Sequence, residues 1–444
     1  MTGARIRVVG TTLGKQPQPG SPTLLRSLRD GAHGDIGAVA LQEPEEEVVE
    51  SGDRRTAPSA VVSERITIAP PAPRLERVTA WMAAGDLDAL VVTGPALVTW
   101  ITGYARYYGG PAAAVISPSG ERTLVVPRDE VAVAGQMPGA GVVAGYGERG
   151  FGLELSPVPL LVAEVLRTGP VASASRLGVA GDWGAAVAEA SAAHAVPADA
   201  ALRWMSLVKD GDELARIFRS YEMCWLAHAA IAEGTAAGAS EIEMMSAAQA
   251  AAQVGHGAPV GFVADVLAGP NTAEVCAPAA VAGAGRAGPG QPVVADLSVG
   301  ADGYWADTCR TYVNGSSAEV DEIREQLYAI MDAAAADLRT GGTGAEVFGG
   351  MRDRIAASWP DGEFPHHGGH GVGLTVFDDP HVIPSDGRPL ESWMVMALEP
   401  GVYLPGRFGV RTENLFLVTP DGAVELAQAM QRPLSPQALA TWSR

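Results

Sequence analysis

The stretch His366–Asp379 reads HHGGHGVGLTVFDD: three histidines and four glycines, followed by an aromatic residue and two acids. Glycines let a backbone bend sharply or approach another group closely. Imidazoles serve as metal ligands or as acid/base groups. Taken alone, the stretch reads first as a Gly-rich surface loop that happens to hold histidines. Acids elsewhere in the chain decide whether it is instead one wall of a metal site.

The first acids lie in PVVADLSVGADGYWADTCRTYV, residues 292–313, which reads as a β-hairpin turning at Ala301-Asp302 or at Asp302-Gly303. In the first register Asp296 and Asp307 sit directly opposite; in the second they are diagonal neighbours. Both registers leave the two carboxylates on one face, because side-chain direction in a strand has period two. The second pair lies in ALEPGVYLPGRFGVRTENL, residues 397–415, which folds about Gly406 and brings Glu399 opposite Glu413. Arg411 shares the face of Glu413 and could hold a ligating carboxylate from behind. Four such carboxylates and one imidazole from GGHG make a donor set dominated by oxygen, which suits Mn²⁺ or a similar divalent ion. Two ions roughly 3.5–4 Å apart would clamp a hydroxide and polarise a substrate carbonyl.

Outward from these motifs, the 444 residues are too many for one core and point to two or three domains. Residues 1 to about 65 carry no sustained periodicity and include LQEPEEEVVESGDRR, so a disordered or poorly packed extension is expected. From Arg74 the pattern sharpens into the helix RLERVTAWMAAG and the strands DALVVTG, AAAVIS and TLVVP, an α/β arrangement. Helices follow from Asp212 to Glu233, from Glu241 to Val254, and near 319–338 and 344–358. Around them GFVADVLAG, PVVADLSVG, YWADTCRTYV, WMVMALEPGVYL and VRTENLFLVT read as antiparallel strands. The expected divisions are 1–65, 66–206 and 207–444. GAGRAG, 283–288, precedes a strand instead of joining one to a helix, so it lacks the helix N-terminus a dinucleotide needs. SLVK, 206–209, lacks the partner motifs of serine acyl-enzymes and reads as a linker.

A net charge of −20 speaks for solubility and against nucleic acid or an anionic membrane surface as partner. No uninterrupted apolar run is long enough to predict a membrane span, and the N-terminus lacks the pattern of a signal peptide. Three cysteines, Cys224, Cys276 and Cys309, suit a reducing cytoplasm.

The spacing D-x10-D, then GHGVGL, LEPGVY and VRTEN in that order, resembles the pita-bread metallohydrolases of the aminopeptidase P, prolidase and creatinase branch. RLERVTAWMAAGDLDALVVTGPALVTWITGY resembles the N-terminal domain of that branch, so the likeness covers about 70–437. It implies an α+β fold: an N-terminal creatinase-like α/β domain, then a C-terminal domain with a curved antiparallel sheet flanked by helices. It also implies the metal ligands Asp296, Asp307, His370, Glu399 and Glu413 for two divalent ions, with Mn²⁺ expected and Co²⁺, Zn²⁺ or Fe²⁺ as alternatives. Glu399 would also handle the proton of the bridging water. His366 corresponds to a histidine that contacts substrate, whereas His367 corresponds to nothing and is expected to be solvated. Arg411 completes the implied catalytic set. Homodimers are common in this branch, which makes Trp100, Tyr104, Tyr107 and Tyr108 candidates for a neighbour's site.

The chain also departs from that pattern. Two further substrate histidines of the family are replaced by Phe377 and Cys276. A phenyl ring cannot donate a hydrogen bond to a developing oxyanion, and a thiol donates weakly. Phe377, Cys276 and His381 are therefore expected in the substrate pocket. The implied activity is hydrolysis of an Xaa–Pro or similar amide. The alternatives are a C–N bond in a small non-peptide metabolite, or a binding module without catalysis. Binding modules of this fold normally lose ligands, and this chain has not.

Overall fold

The computed structural model describes residues 72–105, 110–137, 139–147, 157–274 and 281–429. The expected extension 1–65 lies outside them, as do Tyr107, Tyr108 and Cys276. No helix among the described residues is long and apolar enough to cross a membrane.

The first sheet comprises β1 (Ala89–Val92), β2 (Ala113–Ile116), β3 (Arg122–Pro127), β4 (Val142–Tyr146), β5 (Arg176–Ala180) and β6 (His194–Pro197). They lie in the order β4-β3-β2-β1-β5-β6. β1, ALVV, is buried at every position, as an apolar run in mid-sheet must be. It pairs parallel to β5 and antiparallel to β2. β2 and β3 are joined by the turn 117–121, far too short for a crossover helix, so they run antiparallel. Trp100 and Tyr104, expected at a border with a second subunit, are buried in the core with Val78, Leu214 and Ile217.

The helices behind the second half begin where their capping chemistry dictates. Asp210 opens Gly211–Ala236, Ser240 opens Glu241–His256 and Thr343 opens Gly344–Ser358. Each accepts the backbone N–H three residues on, while the glutamate there (Glu213, Glu243 or Glu346) reaches back to the cap. The longest of them presses Tyr221, Cys224 and Trp225 into the core shared with the strands β7 (Gly261–Ala268), β8 (Pro292–Ala301) and β9 (Tyr304–Val313). The GAGRAG segment seats on the start of Glu241–His256, whose first two N–H groups bond Gly285 and Gly283 carbonyls at 2.9 Å.

β10 (His370–Gly371), β11 (Asp378–His381), β12 (Val395–Leu398), β15 (Asn414–Thr419) and β16 (Gly422–Glu425) form the next sheet, in the order β11-β10-β12-β15-β16. β13 (Gly401–Leu404) and β14 (Phe408–Arg411) make a hairpin between β12 and β15. The pairs Leu398↔Asn414 and Gly401↔Arg411 keep one register on either side of Glu399 and Glu413, so the fold about Gly406 is as expected. A bridge from Cys309 to Glu413 ties β9 to the start of β15.

The β8–β9 hairpin takes the second of its two readings. Ala301 pairs with Tyr304, leaving Asp302 and Gly303 as a two-residue turn with φ of 52° and 84°. Both values are left-handed, the requirement of a tight hairpin turn. The long helix holds the turn: the Ser220 hydroxyl donates to the Tyr304 carbonyl at 2.8 Å and accepts the Ala301 N–H at 3.0 Å. A Cβ on Gly303 would lie 2.5 Å from Thr99 Cγ2 and 2.8 Å from Ala105 Cβ.

Gly303→Val therefore combines left-handed strain with overpacking and is expected to cost about 3 kcal/mol. Gly315→Ala has a similar φ of 87° but open space around it, and is expected to cost only about 1 kcal/mol. Urea unfolding midpoints of the two variants test this; equal midpoints would contradict the packing of the turn.

Candidate metal centre

The realised hairpin pairs Asp296 with Cys309 and Ser298 with Asp307, so the two aspartates are diagonal neighbours on one face of β8 and β9. Glu413 is carried to that face by the bridge at Cys309, and Glu399 follows β12. His370 arrives on β10, which is wedged between β11 and β12. The approach is close: Gly369 has φ 147°, and a Cβ there would sit 2.0 Å from the Ala397 carbonyl oxygen. The Glu399 N–H bonds the Gly368 carbonyl at 3.0 Å and the Val382 N–H bonds that of Gly369 at 2.8 Å. The glycines of the opening stretch are what bring His370 alongside Glu399.

Nε2 of His370 lies 3.7 Å from Asp307, 3.8 Å from Glu399 and 3.9 Å from Glu413. Its Nδ1–H donates to the Gly371 carbonyl at 2.9 Å, which leaves Nε2 as the free lone pair. One buried oxygen on each of Asp296, Asp307 and Glu413 has no hydrogen-bond donor. Arg411, itself buried, donates from Nη2 to Asp296 and from Nε to the Cys309 sulfur. Among the described residues, Asp307, His370 and Glu413 present ligand atoms within 4.8 Å of one another. Orphaned oxygens around a free imidazole nitrogen fit divalent ions; without cations, four crowded carboxylates would repel.

The protonation pattern reports that crowding. Burial, then the charges of Asp296 and Glu399, push Asp307 well above the usual carboxylate range. Burial, then Asp307, Asp296 and Glu399, do the same to Glu413. Burial also works upward on Glu399, but the His367 imidazole and the charges of His366 and His370 outweigh it and hold the carboxyl at about 2. His370 is lowered by burial.

The two leading histidines both line the site cavity but hold different partners. His366 is enclosed: Nδ1–H donates to the His367 carbonyl at 2.7 Å, and Nε2 accepts the Tyr403 hydroxyl at 2.9 Å. Burial lowers its pKa to about 4, so it is neutral and both nitrogens are occupied. His367, expected to be solvated, lies with Nδ1 2.8 Å from Oε1 of Glu399, and its side chain is 32% exposed. Burial works against its charge, but Glu399 outweighs this and raises its pKa. No spacing rule singles out His367, because its place depends on the backbone turn at Gly369.

A cavity of about 200 Å³ opens over these groups. Phe377 forms part of its wall, 59% exposed, with its ring centroid 4.6 Å from that of His370. The turn that carries Phe377 is held by Asp378, which accepts the Leu374 N–H at 3.1 Å and the Thr375 hydroxyl at 2.6 Å. Lys209, read as part of a linker, is buried with its ammonium 3.8 Å from Asp378. His381 is not in this cavity; it lines a separate one with Asp386 and Arg388. Its backbone pairs with His370, but β11 runs outward along the sheet edge. Sequence reading missed Asp265, which also lines the site cavity, opposite Asp296 in the β7–β8 ladder. Burial and then the charge of Asp296 raise its pKa to about 6.

Comparison with known proteins agrees with this geometry. Residues 215–420 match metallopeptidase family M24, and residues 74–207 match the creatinase/prolidase N-terminal domain. A protein of Mycobacterium tuberculosis named probable dipeptidase PepE is 30% identical over 80% of this chain and 93% of its own. An Xaa-Pro dipeptidase of Pyrococcus furiosus is 26% identical over 80% of this chain and 97% of its own. The crystal structure of the prolidase from Pyrococcus horikoshii superposes with a TM-score of 0.65 at 25% identity, covering 82% of this chain and all of that one.

The raised carboxyls set a pH dependence. In the metal-free folded chain Asp307 and Glu413 keep protons that the unfolded chain releases, so the stability they contribute is lost as pH rises. Above neutrality His366 and His370 add no opposing slope, being neutral in both states, while His367, raised by Glu399, adds to the same downward slope. The melting temperature of metal-free protein is expected to fall as pH rises above the ordinary carboxylate range, by at most about 1.4 kcal/mol of stability per pH unit and group. Added divalent metal should raise it, and more at pH 9 than at pH 7. Asp307→Asn should flatten the metal-free decline; a decline unchanged in that variant would contradict the assignment.

Proposed function

The chain belongs to metallopeptidase family M24, and from that premise we propose that it is a divalent-metal-dependent hydrolase of Xaa–Pro dipeptides or similarly small amides. The observation that carries the reading is the ring of orphaned carboxylate oxygens facing the free Nε2 of His370. The likeness to proteins named dipeptidase, Xaa-Pro dipeptidase and prolidase supports the bond class. A cavity of about 200 Å³ supports a small substrate, being below the 300–1,000 Å³ usual for drug-sized ligands. We take 66–206 as the creatinase/prolidase-like domain and 207–444 as the domain that holds the chemistry.

In this reading Asp296, Asp307, His370, Glu399 and Glu413 hold two ions. When bound, these supply a Lewis acid for the amide carbonyl and lower the pKa of a water. The oxygen-rich set favours Mn²⁺, which elemental analysis of protein purified without added metal would identify. Arg411 fixes Asp296 through a charge-assisted hydrogen bond. Glu399, ionised and buried, accepts the proton of the attacking water. His367, beside the same carboxylate oxygen and half open to the cavity, is placed to carry that proton to the leaving nitrogen. His366 also lines the cavity, and the Tyr403 hydroxyl on Nε2 and the His367 carbonyl on Nδ1 fix its ring there. A homodimer is the assembly we expect from the family likeness, and light scattering would report twice 45.7 kDa.

Mass-spectrometric product analysis of Mn²⁺-loaded protein with Xaa-Pro dipeptides and Xaa-Pro-Yaa tripeptides tests the proposal. Cleavage at the prolyl bond is expected, with dipeptides favoured. Glu399→Ala should lower the rate by roughly a hundredfold or more, and His367→Ala by about 10²–10⁴-fold. Intact dipeptides from protein that holds its metal would move the substrate to non-peptide amides, where Phe377 is a pocket wall in its own right.

A further inference from the structure

Asp265 is not among the groups proposed above to hold metal, yet it faces the same space. In the β7–β8 ladder it pairs with Asp296, and directly opposite residues of an antiparallel pair point to the same face. That face is the cavity wall, which Asp265 lines together with the exposed Val263, two residues earlier on its strand. Among the described residues no hydrogen bond or ion pair reaches the Asp265 carboxylate. The one guanidinium of this wall, Arg411, spends Nη2 on Asp296 and Nε on the Cys309 sulfur. The charge of Arg411 reaches Asp265 only as a lesser influence behind burial and Asp296, and a half-buried carboxylate beside a second carboxylate with no hydrogen-bonded cation of its own is unfavourable. Such groups are retained where an incoming partner supplies the missing charge.

The remainder of the cavity fits a cation as well. Phe377 presents an exposed ring, and ring faces attract ammonium and guanidinium groups. The whole chain carries a net charge of −20, so cationic solutes are drawn toward it. We infer that Asp265 is a specificity-determining residue that selects substrates carrying an ammonium or guanidinium group beside the scissile amide. This rests on the hydrolase reading above and names the substrate class within it. The positive charge can come from the substrate's free α-amino group or from a basic side chain, and both offer the same N–H donors to the carboxylate.

Four small ligands separate these sources without any turnover: L-lysine, L-norleucine, Nα-acetyl-L-lysine and Nα-acetyl-L-norleucine. Their dissociation constants are measured by titration calorimetry on Mn²⁺-loaded wild-type, Asp265→Asn and Asp265→Glu protein, with metal content determined for each. Wild type is expected to bind lysine at least tenfold more tightly than Nα-acetylnorleucine. Asp265→Asn should shrink that ratio below threefold while leaving Nα-acetylnorleucine unchanged, and Asp265→Glu should retain a preference. Tight binding of norleucine assigns the α-ammonium, and tight binding of Nα-acetyllysine assigns the side chain.

An unchanged ratio in Asp265→Asn overturns the inference. So does loss of metal from that variant, which would make Asp265 a ligand. Protein that cleaves no Xaa–Pro dipeptide yet keeps this binding pattern loses the peptidase reading alone. Protein that cleaves dipeptides without an Asp265-dependent preference loses the inference alone.

Discussion

The structure depends on one electrostatic constraint: like charges crowded into a buried space. Asp265, Asp296, Asp307, Glu399 and Glu413 all face one cavity of about 200 Å³. Against these five carboxylates the cavity wall offers the guanidinium of Arg411 and the imidazole of His367. Arg310 adds positive charge from behind, stacked 4.4 Å from the Trp225 ring with Nη1 donating to the Glu413 carbonyl at 2.5 Å. The imbalance leaves Asp307 and Glu413 holding protons far above the usual range, a state that bound cations would replace. A buried pair of carboxylates is weak evidence of design by itself, but orphaned oxygens converging on a lone imidazole nitrogen are a donor set.

Holding repelling groups together requires a frame stiffer than the repulsion. The carboxylates are therefore carried on paired strands, where one hydrogen-bonded ladder fixes several side chains at once. Asp296 and Asp307 belong to a single hairpin, and Glu399 and Glu413 flank another. The bridge from Cys309 to Glu413 joins the two hairpins at the point where their acids meet. The tips are pinned as well: Ser220 grips the turn at Asp302, and Thr99 and Ala105 pack against Gly303. His370 enters this frame through a segment so close to Ala397 that only glycine fits at 369.

How much of this was legible in the sequence follows from the range of each interaction. The shared face of Asp296 and Asp307 followed from the period of a strand, whichever turn was chosen. Choosing the turn needed a left-handed φ at Asp302, which Asp-Gly favours without enforcing. Glu399 and Glu413 were readable because they lie symmetrically about Gly406. His367 was misjudged because adjacent residues point apart only in regular structure, and Gly369 breaks that regularity. Asp265 went unnoticed because its face is defined by pairing with β8, a partner some 30 residues away. Lys209 looked like linker because its carboxylate partner, Asp378, lies in the second half of the chain.

The two walls of the cavity divide the work between them. The sheet wall is acidic and rigid; the opposite wall is the segment from His366 to Phe377, aromatic and poor in free donors. His366 is tied to Tyr403, and His370 turns its free nitrogen to the acids. Phe377 covers the His370 ring while Lys209 and Asp378 secure its turn. The imidazole on that wall with a nitrogen left over is His367. An Nε2–H there can take up the hydrogen-bonding role that Phe377 cannot fill, from a position one residue after His366. Phe377 forms part of the cavity wall, beside a sheet face on which Asp265 has no hydrogen bond or ion pair among the described residues.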